Sequence, residues 1–260
     1  MIVLLPPSET KRAGGDGGLS LDLAALGYPG LSAQRAATVD ATRSLAANPR
    51  AMAVALKLGP SQHGEVERNR LLGSAPVMPA IDRYTGVLYD ALDAATLSPR
   101  SREFANQTVV IHSALFGLIH ADDAIPAYRL SHDSRLPGLR LRSLWGDAIA
   151  QELQRHDGLI LDLRSEAYVS LGPVPSAGNS FYLRVVAAGP TGHKRALNHF
   201  NKKGKGEFVR ALLDARIDHP DAPSLLAWAA NAGIDLTLGA AGELQLEVEQ
   251  IAAGARRARA

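Results

Sequence analysis

Apolar residues in this chain fall into short continuous runs separated by longer stretches with helical spacing. Ile2–Leu5 is a continuous apolar run that stops at Pro6-Pro7, which predicts a buried strand followed by a loop. The β-branched run Thr108-Val109-Val110-Ile111 predicts a second strand, ending at His112-Ser113. Residues 159–163 predict a third, ending at Arg164-Ser165-Glu166, and residues 181–186 a fourth. Residues 234–238 and 244–248 alternate apolar with polar and predict a late strand pair.

Between these runs the period lengthens. Residues 33–58 are alanine-rich and predict helix, interrupted at Asn48-Pro49. Residues 80–95 predict another, with Tyr84, Leu88 and Leu92 on one face. Further helices are expected at 143–153, 205–216 and 222–231, the last capped by Asp221 or Asp218. Trp145 and Trp228 read as packed core residues. The glycine-rich segment 8–18 reads as a mobile loop without phosphate-loop spacing.

Strands separated by long helical stretches predict an α/β to α+β fold: one compact domain over 1–251, with a mixed sheet flanked by helices. Residues 252–260 carry Arg256, Arg257 and Arg259 among small residues and read as a basic flexible tail. Polar groups follow three strands at once: Ser8-Glu9-Thr10-Lys11, His112-Ser113 and Arg164-Ser165-Glu166. If those strands are parallel, their carboxyl ends meet at one crevice, where open α/β sheets bind ligands.

Composition narrows the chemistry. The chain has 260 residues, 46% hydrophobic and 21% charged, in the range of an ordinary globular protein. It contains no cysteine, which removes disulfides, thiolate metal sites and thiol catalysis. The eight histidines include no helical His-Glu-x-x-His, and no dedicated metal site or cofactor is expected. Met1–Leu5 lacks a basic leader region and is too short for a signal peptide, and no apolar run approaches a membrane span.

With 28 basic and 26 acidic side chains the net charge is only +2, so clustering matters more than the total. Residues 193–206 hold Lys194, Arg195, Lys202, Lys203 and Lys205 with no acidic residue. Such a run reads either as a solvated face or as a phosphate-binding patch. Phe200, Asn198 and Asn201, able to stack on or bond a base, and glycines that permit close backbone approach, point to the second.

Several segments together resemble the YaaA family of peroxide stress proteins. They are Pro6-Pro7-Ser8-Glu9-Thr10-Lys11, Tyr84-Thr85-Gly86, Ser113-Ala114-Leu115-Phe116-Gly117, Pro126-Ala127-Tyr128-Arg129-Leu130, Trp145-Gly146-Asp147, Arg164-Ser165-Glu166-Ala167-Tyr168 and Asn201-Lys202-Lys203-Gly204-Lys205-Gly206. They occur in the family's order. The resemblance implies a cytoplasmic protein that protects cells from peroxide by keeping intracellular iron low. It also implies a positively charged cleft and a helix-hairpin-helix-like element able to bind DNA. Two departures stand out: Glu9 takes a position where relatives commonly have lysine, with Lys11 following Thr10, and Ala167 separates Glu166 from Tyr168. Leu136-Pro137-Gly138-Leu139 resembles the hairpin turn, with Arg140 where a second glycine is expected and Arg135 and Arg142 nearby.

The expected site has two parts. Lys194, Arg195, Lys202, Lys203 and Lys205 would contact DNA phosphates. Ser8, Lys11, Tyr84, Ser113, Tyr128, Arg129, Ser165, Glu166 and Tyr168 would line the cleft. Arg129 reads equally as an anion clamp or a structural ion pair, Tyr84 and Tyr168 as cleft hydroxyls or core, and Ser165-Glu166 as nucleophile and base or as a capping pair. Three functions follow: a DNA-binding stress protein, an enzyme acting on a nucleotide or other small anionic metabolite in the same cleft, and a scaffolding module. A long basic groove fits the first, and a closed pocket of about 300–1,000 Å³ fits the second.

Overall fold

The computed structural model describes residues 1–62, 64–175, 178–188, 194–196 and 198–248, with only the backbone of 187–188, 194–196 and 198–200. The tail 252–260 and His193 lie outside the described residues. The strands, in chain order, are β1 (Ile2–Leu5), β2 (Met78–Pro79), β3 (Val109–Ser113), β4 (Gly117–His120), β5 (Ala124–Ile125), β6 (Ile160–Asp162), β7 (Ser180–Ala188), β8 (Lys194–Ala196), β9 (Leu236–Leu238) and β10 (Glu243–Glu247).

One sheet runs β4-β3-β1-β6-β7-β10-β9, with β8 paired to the far end of β7. The neighbours β3, β1, β6, β7 and β10 are parallel; β4, β8 and β9 join antiparallel. β2 and β5 make a separate short pair. The single domain is therefore α/β with a mixed sheet. β1, β3 and β6 are buried along their whole length, which is why they read as continuous apolar runs.

Strand order fixes where a ligand would sit. From β1 the chain crosses to β3 on one side, and from β6 it continues to β7 on the other. The loops leaving β1 and β6 therefore diverge, opening a crevice between the carboxyl ends of two adjacent parallel strands. This is the topological switch point of an open α/β sheet.

Local chemistry explains most helix boundaries. The break at 48–49 is an N-cap: Asn48 Oδ1 accepts from the Ala51 N–H at 3.1 Å, with Pro49 in the first turn of Pro49–Ala55. Asp221, not Asp218, caps Ala222–Asn231, accepting from Ser224 N–H at 2.9 Å. Trp145 is wholly buried in the helix Leu141–Gln154 and donates from Nε1 to the Ala114 carbonyl at 3.0 Å. Trp228 is partly buried and packs near the Phe208 ring.

Four expectations are corrected. The helix expected over 80–95 is two short helices, Ala80–Arg83 and Val87–Leu92, because Tyr84 is extended and bridges to Lys11. Between them Gly86 has φ +100°, a conformation side chains rarely adopt. The segment 8–18 is pinned rather than mobile: Arg12 N–H donates to Arg83 O and Asp16 N–H to Val77 O, both at 2.8 Å. Beneath it the buried Arg83 guanidinium donates to the carbonyls of Arg12, Gly14, Pro76 and Ile125. The helix expected from 205 begins at Asn198 and runs to Ala215, so Gly204 and Gly206 are mid-helix and present no phosphate loop. Lastly, Leu136–Leu139 is a tight turn closed by Leu139 N–H to Leu136 O at 3.2 Å. It is entered from the non-helical residues 126–135, so no helix precedes it as a helix-hairpin-helix requires.

Candidate functional site

Two adjoining clefts open at the switch point. The first, about 470 Å³, lies between the Pro6–Thr10 loop after β1, the start of Val87–Leu92, the stretch Leu130–His132, and Ser165 and Tyr168 after β6. The second, about 720 Å³, runs from Leu163–Ala167 across Tyr182 and Arg184 of β7 to Asn201, Lys202 and Lys205 on Asn198–Ala215. Pro6, Val87, Ser165 and Lys202 border both, so the two are lobes of one depression.

Of the expected cleft residues, Ser8, Ser165, Glu166 and Tyr168 line these lobes. Lys11, Tyr84, Ser113 and Tyr128 line neither and form a buried layer behind the first. Lys11 Nζ donates to the carbonyls of Ser8 at 2.8 Å and Glu9 at 3.4 Å, and sits 4.1 Å from the centre of the Tyr128 ring. Burial, with Arg129 nearby, lowers its pKa to about 7. Ser113 Oγ accepts from Leu115 and Phe116 N–H, both at 3.0 Å, which fills its lone pairs. It must therefore donate to Tyr128 Oη at 2.7 Å, and Tyr128 shares a second hydroxyl hydrogen bond with Tyr84 Oη at 2.7 Å. Burial raises both phenols' pKa, so the chain stays protonated. These four residues brace the loop that forms the cleft wall.

Arg129 is an ion pair rather than a free clamp: its Nη2 meets Glu9 Oε2 at 2.8 Å. The departure at position 9 thus supplies Arg129 with a carboxylate. The basic run is also divided. Lys202 is exposed at the border of both lobes, and Lys205 is 4% exposed, lining the larger lobe while donating to Leu163 O at 3.0 Å. Burial lowers the Lys205 pKa to about 8, partly offset by Asp162. Lys203 is exposed, outside both lobes, and pairs with Glu207 at 3.0 Å. Lys194 and Arg195 lie on β8, antiparallel to the end of β7.

Sequence reasoning overlooked several residues. Ser131 and His132 follow the Tyr128-Arg129-Leu130 segment directly; His132 Nδ1 is 3.1 Å from Ser131 Oγ, and its ring lies 5.4 Å from that of Tyr168. Tyr182 and Arg184 share a face of β7 by alternation, a signal visible in the sequence. Arg184 pairs with Glu243 at 2.6 Å. Behind Tyr168 lies a buried network in which Arg164 donates to both Asp162 carboxylate oxygens, at 2.9 and 2.7 Å. Arg164 Nη1 also meets His112 Nδ1 at 2.8 Å. Burial and Arg164 hold the His112 pKa well below the ordinary histidine value, keeping the ring neutral. Among the described residues no group of three or more His, Cys, Asp or Glu is placed to hold a metal ion.

These features define an α/β protein with a two-lobed cleft at its sheet's switch point. The chain matches the family described as peroxide stress protein YaaA over residues 1–229 and belongs to that family. It is 39% identical over 241 residues to the UPF0246 protein of Corynebacterium glutamicum (strain R), covering 90% of this chain and 94% of that one. It is 41% identical over 234 residues to the UPF0246 protein of Streptomyces coelicolor, covering 87% of each. Among the described residues no helix is long and apolar enough to cross a membrane.

Proposed function

We propose that this peroxide-stress protein acts in the cytoplasm by binding DNA phosphates along the cationic side of the cleft, and that this binding leads to lower intracellular iron. The observation that carries the reading is the position of Lys202, exposed on the border of both lobes. Lysines contact phosphates as point charges, so binding has little sequence preference and a steep salt dependence. Lys203 is exposed one residue further on but is paired with Glu207, and the described backbone of Lys194 and Arg195 flanks β7. Duplex, bubble and single-stranded DNA titrated across a salt series test it. Lys202→Ala weakens binding and lowers the salt slope by about one unit; an unchanged slope overturns it.

A second reading, an enzyme acting on a small anionic metabolite, is favoured by lobe size. About 470 and 720 Å³ fall within the range of small-molecule sites, and Ser165, Glu166 and His132 reach the same depression. Turnover screening on phosphorylated and carboxylated metabolites, with Ser165→Ala as control, tests that alternative.

A further inference from the structure

The two lobes differ in chemistry. The smaller is walled by rings and apolar groups: Pro6, Pro7, Leu130, His132 and Tyr168. Pro6 and Pro7 have no N–H to present, so that wall offers flat apolar surface. Tyr89 Oη fixes it by donating to Pro6 O at 2.8 Å. The hydroxyls of Ser8, Thr10, Thr85 and Ser131 give hydrogen-bonding points at its edge, and Glu9, paired with Arg129, borders it. A lobe walled by rings, with hydroxyls at its edge, suits a flat heteroaromatic body.

The larger lobe holds more of the positive charge, with Lys202 shared between the two. Lys202 and Lys205 project into it from one helix, one turn apart, with Arg184 on the facing strand. Asn201 borders the same space, and its buried Oδ1 has no hydrogen-bond partner among the described residues. Lys202 lies in the second turn of the 18-residue helix and Lys205 one turn further in, so both present their charge from a rigid element. Glu166 is the one carboxylate bordering this lobe that no described ion pair neutralises. A carboxylate beside a phosphate site repels the phosphate but accepts from sugar hydroxyls. Its neighbour Ser165 stands on the border between the lobes, where a sugar joining base to phosphate would lie.

We propose that the joined lobes form a site for a nucleoside 5′-phosphate, its base against His132 and Tyr168 and its phosphate against Lys202 and Lys205. The inference rests on the reading that the cleft binds phosphate and adds to it a specific partner for the apolar lobe. The nucleotide comes either from the free pool or from an unpaired unit of a DNA strand.

Calorimetric titration of the full chain with adenosine 5′-monophosphate, adenosine and inorganic phosphate tests it. The nucleotide binds about tenfold or more tightly than either fragment, because a charge-assisted bond adds about 1.5–3 kcal/mol. Lys202→Ala weakens the nucleotide about tenfold, toward the level of adenosine, and leaves adenosine unchanged. His132→Ala weakens nucleotide and adenosine by the same factor and leaves the salt slope on duplex DNA unchanged. Displacement of bound nucleotide by bubble DNA, and not by duplex, identifies the strand as source; nucleotide binding indifferent to either identifies the free pool. Binding to DNA with a Lys202-dependent slope, but none to nucleotide or adenosine at millimolar concentration, overturns the nucleoside site and leaves the DNA reading standing. No binding to DNA or to any phosphate overturns both.

Discussion

Lys205 Nζ donates to the main-chain carbonyl of Leu163 at 3.0 Å, tying the helix that carries the basic run to the carboxyl end of β6. One buried lysine thus holds the helical wall of the cleft against the loop that carries Ser165 and Glu166. Its ammonium costs free energy to bury, and the pKa near 8 reports that cost.

The pH dependence follows. Lys205 and Lys11 have folded pKa values of about 8 and about 7, both below the ordinary 10.5. Above the folded values the unfolded chain binds more protons, so stability rises with pH until the unfolded lysines also lose theirs. Near pH 10 the buried tyrosines act in the other direction: their raised pKa makes the folded state resist an ionisation that the unfolded chain undergoes. Thermal unfolding should show a melting temperature that climbs between about pH 7 and 9 and turns down above about 10. Lys11→Met and Lys205→Met each flatten the climb. A wild-type profile already falling from pH 7 contradicts the assignment.

Gly206 is needed for packing rather than for phosphate approach. A Cβ there would lie 2.2 Å from the Leu88 carbonyl oxygen and 2.8 Å from Ala91 Cβ, where the helix Asn198–Ala215 crosses Val87–Leu92. Gly206→Ala should destabilise by about 1–3 kcal/mol despite alanine's better helix propensity, because the clash is with backbone. Denaturant unfolding measures it, with Gly138→Ala, free of close contacts but at φ +73°, as a comparison for backbone strain alone.

Asp162 and Arg164 are 1% and 0% exposed in their side chains, and removing one leaves the other charged and buried. Asp162→Ala should cost about 3–5 kcal/mol, whereas an apolar replacement of both recovers most of the loss. Equal destabilisation by the single and double variants would show that packing, not the uncompensated guanidinium, is responsible.

Much of the fold is legible in the sequence because its central strands are buried on both faces. Ile2–Leu5 and the run 159–163 read as strands, the second observed as Ile160–Asp162, and the polar groups after them mark the crevice. The helix break at Tyr84 is not legible, since helical spacing at 84, 88 and 92 competes with a bridge to Lys11 that only the tertiary fold supplies. The fate of the basic run is hidden for the same reason. Charge counts place five cations together, but helical rotation sends Lys203 to Glu207, Lys205 inward and Lys202 to the cleft border. His132 escaped notice because a lone histidine after an apolar motif carries no spacing signal; only its approach to Tyr168 gives it a place.

The salt dependence of bubble-DNA binding, measured for the wild type and Lys202→Ala, tests the proposed DNA contact most directly. Lys202 is exposed and makes no ion pair among the described residues, so its loss should leave the melting temperature unchanged. The proposal predicts weaker binding and a slope of log affinity against log salt lower by about one unit. Unchanged affinity with the same slope would contradict it.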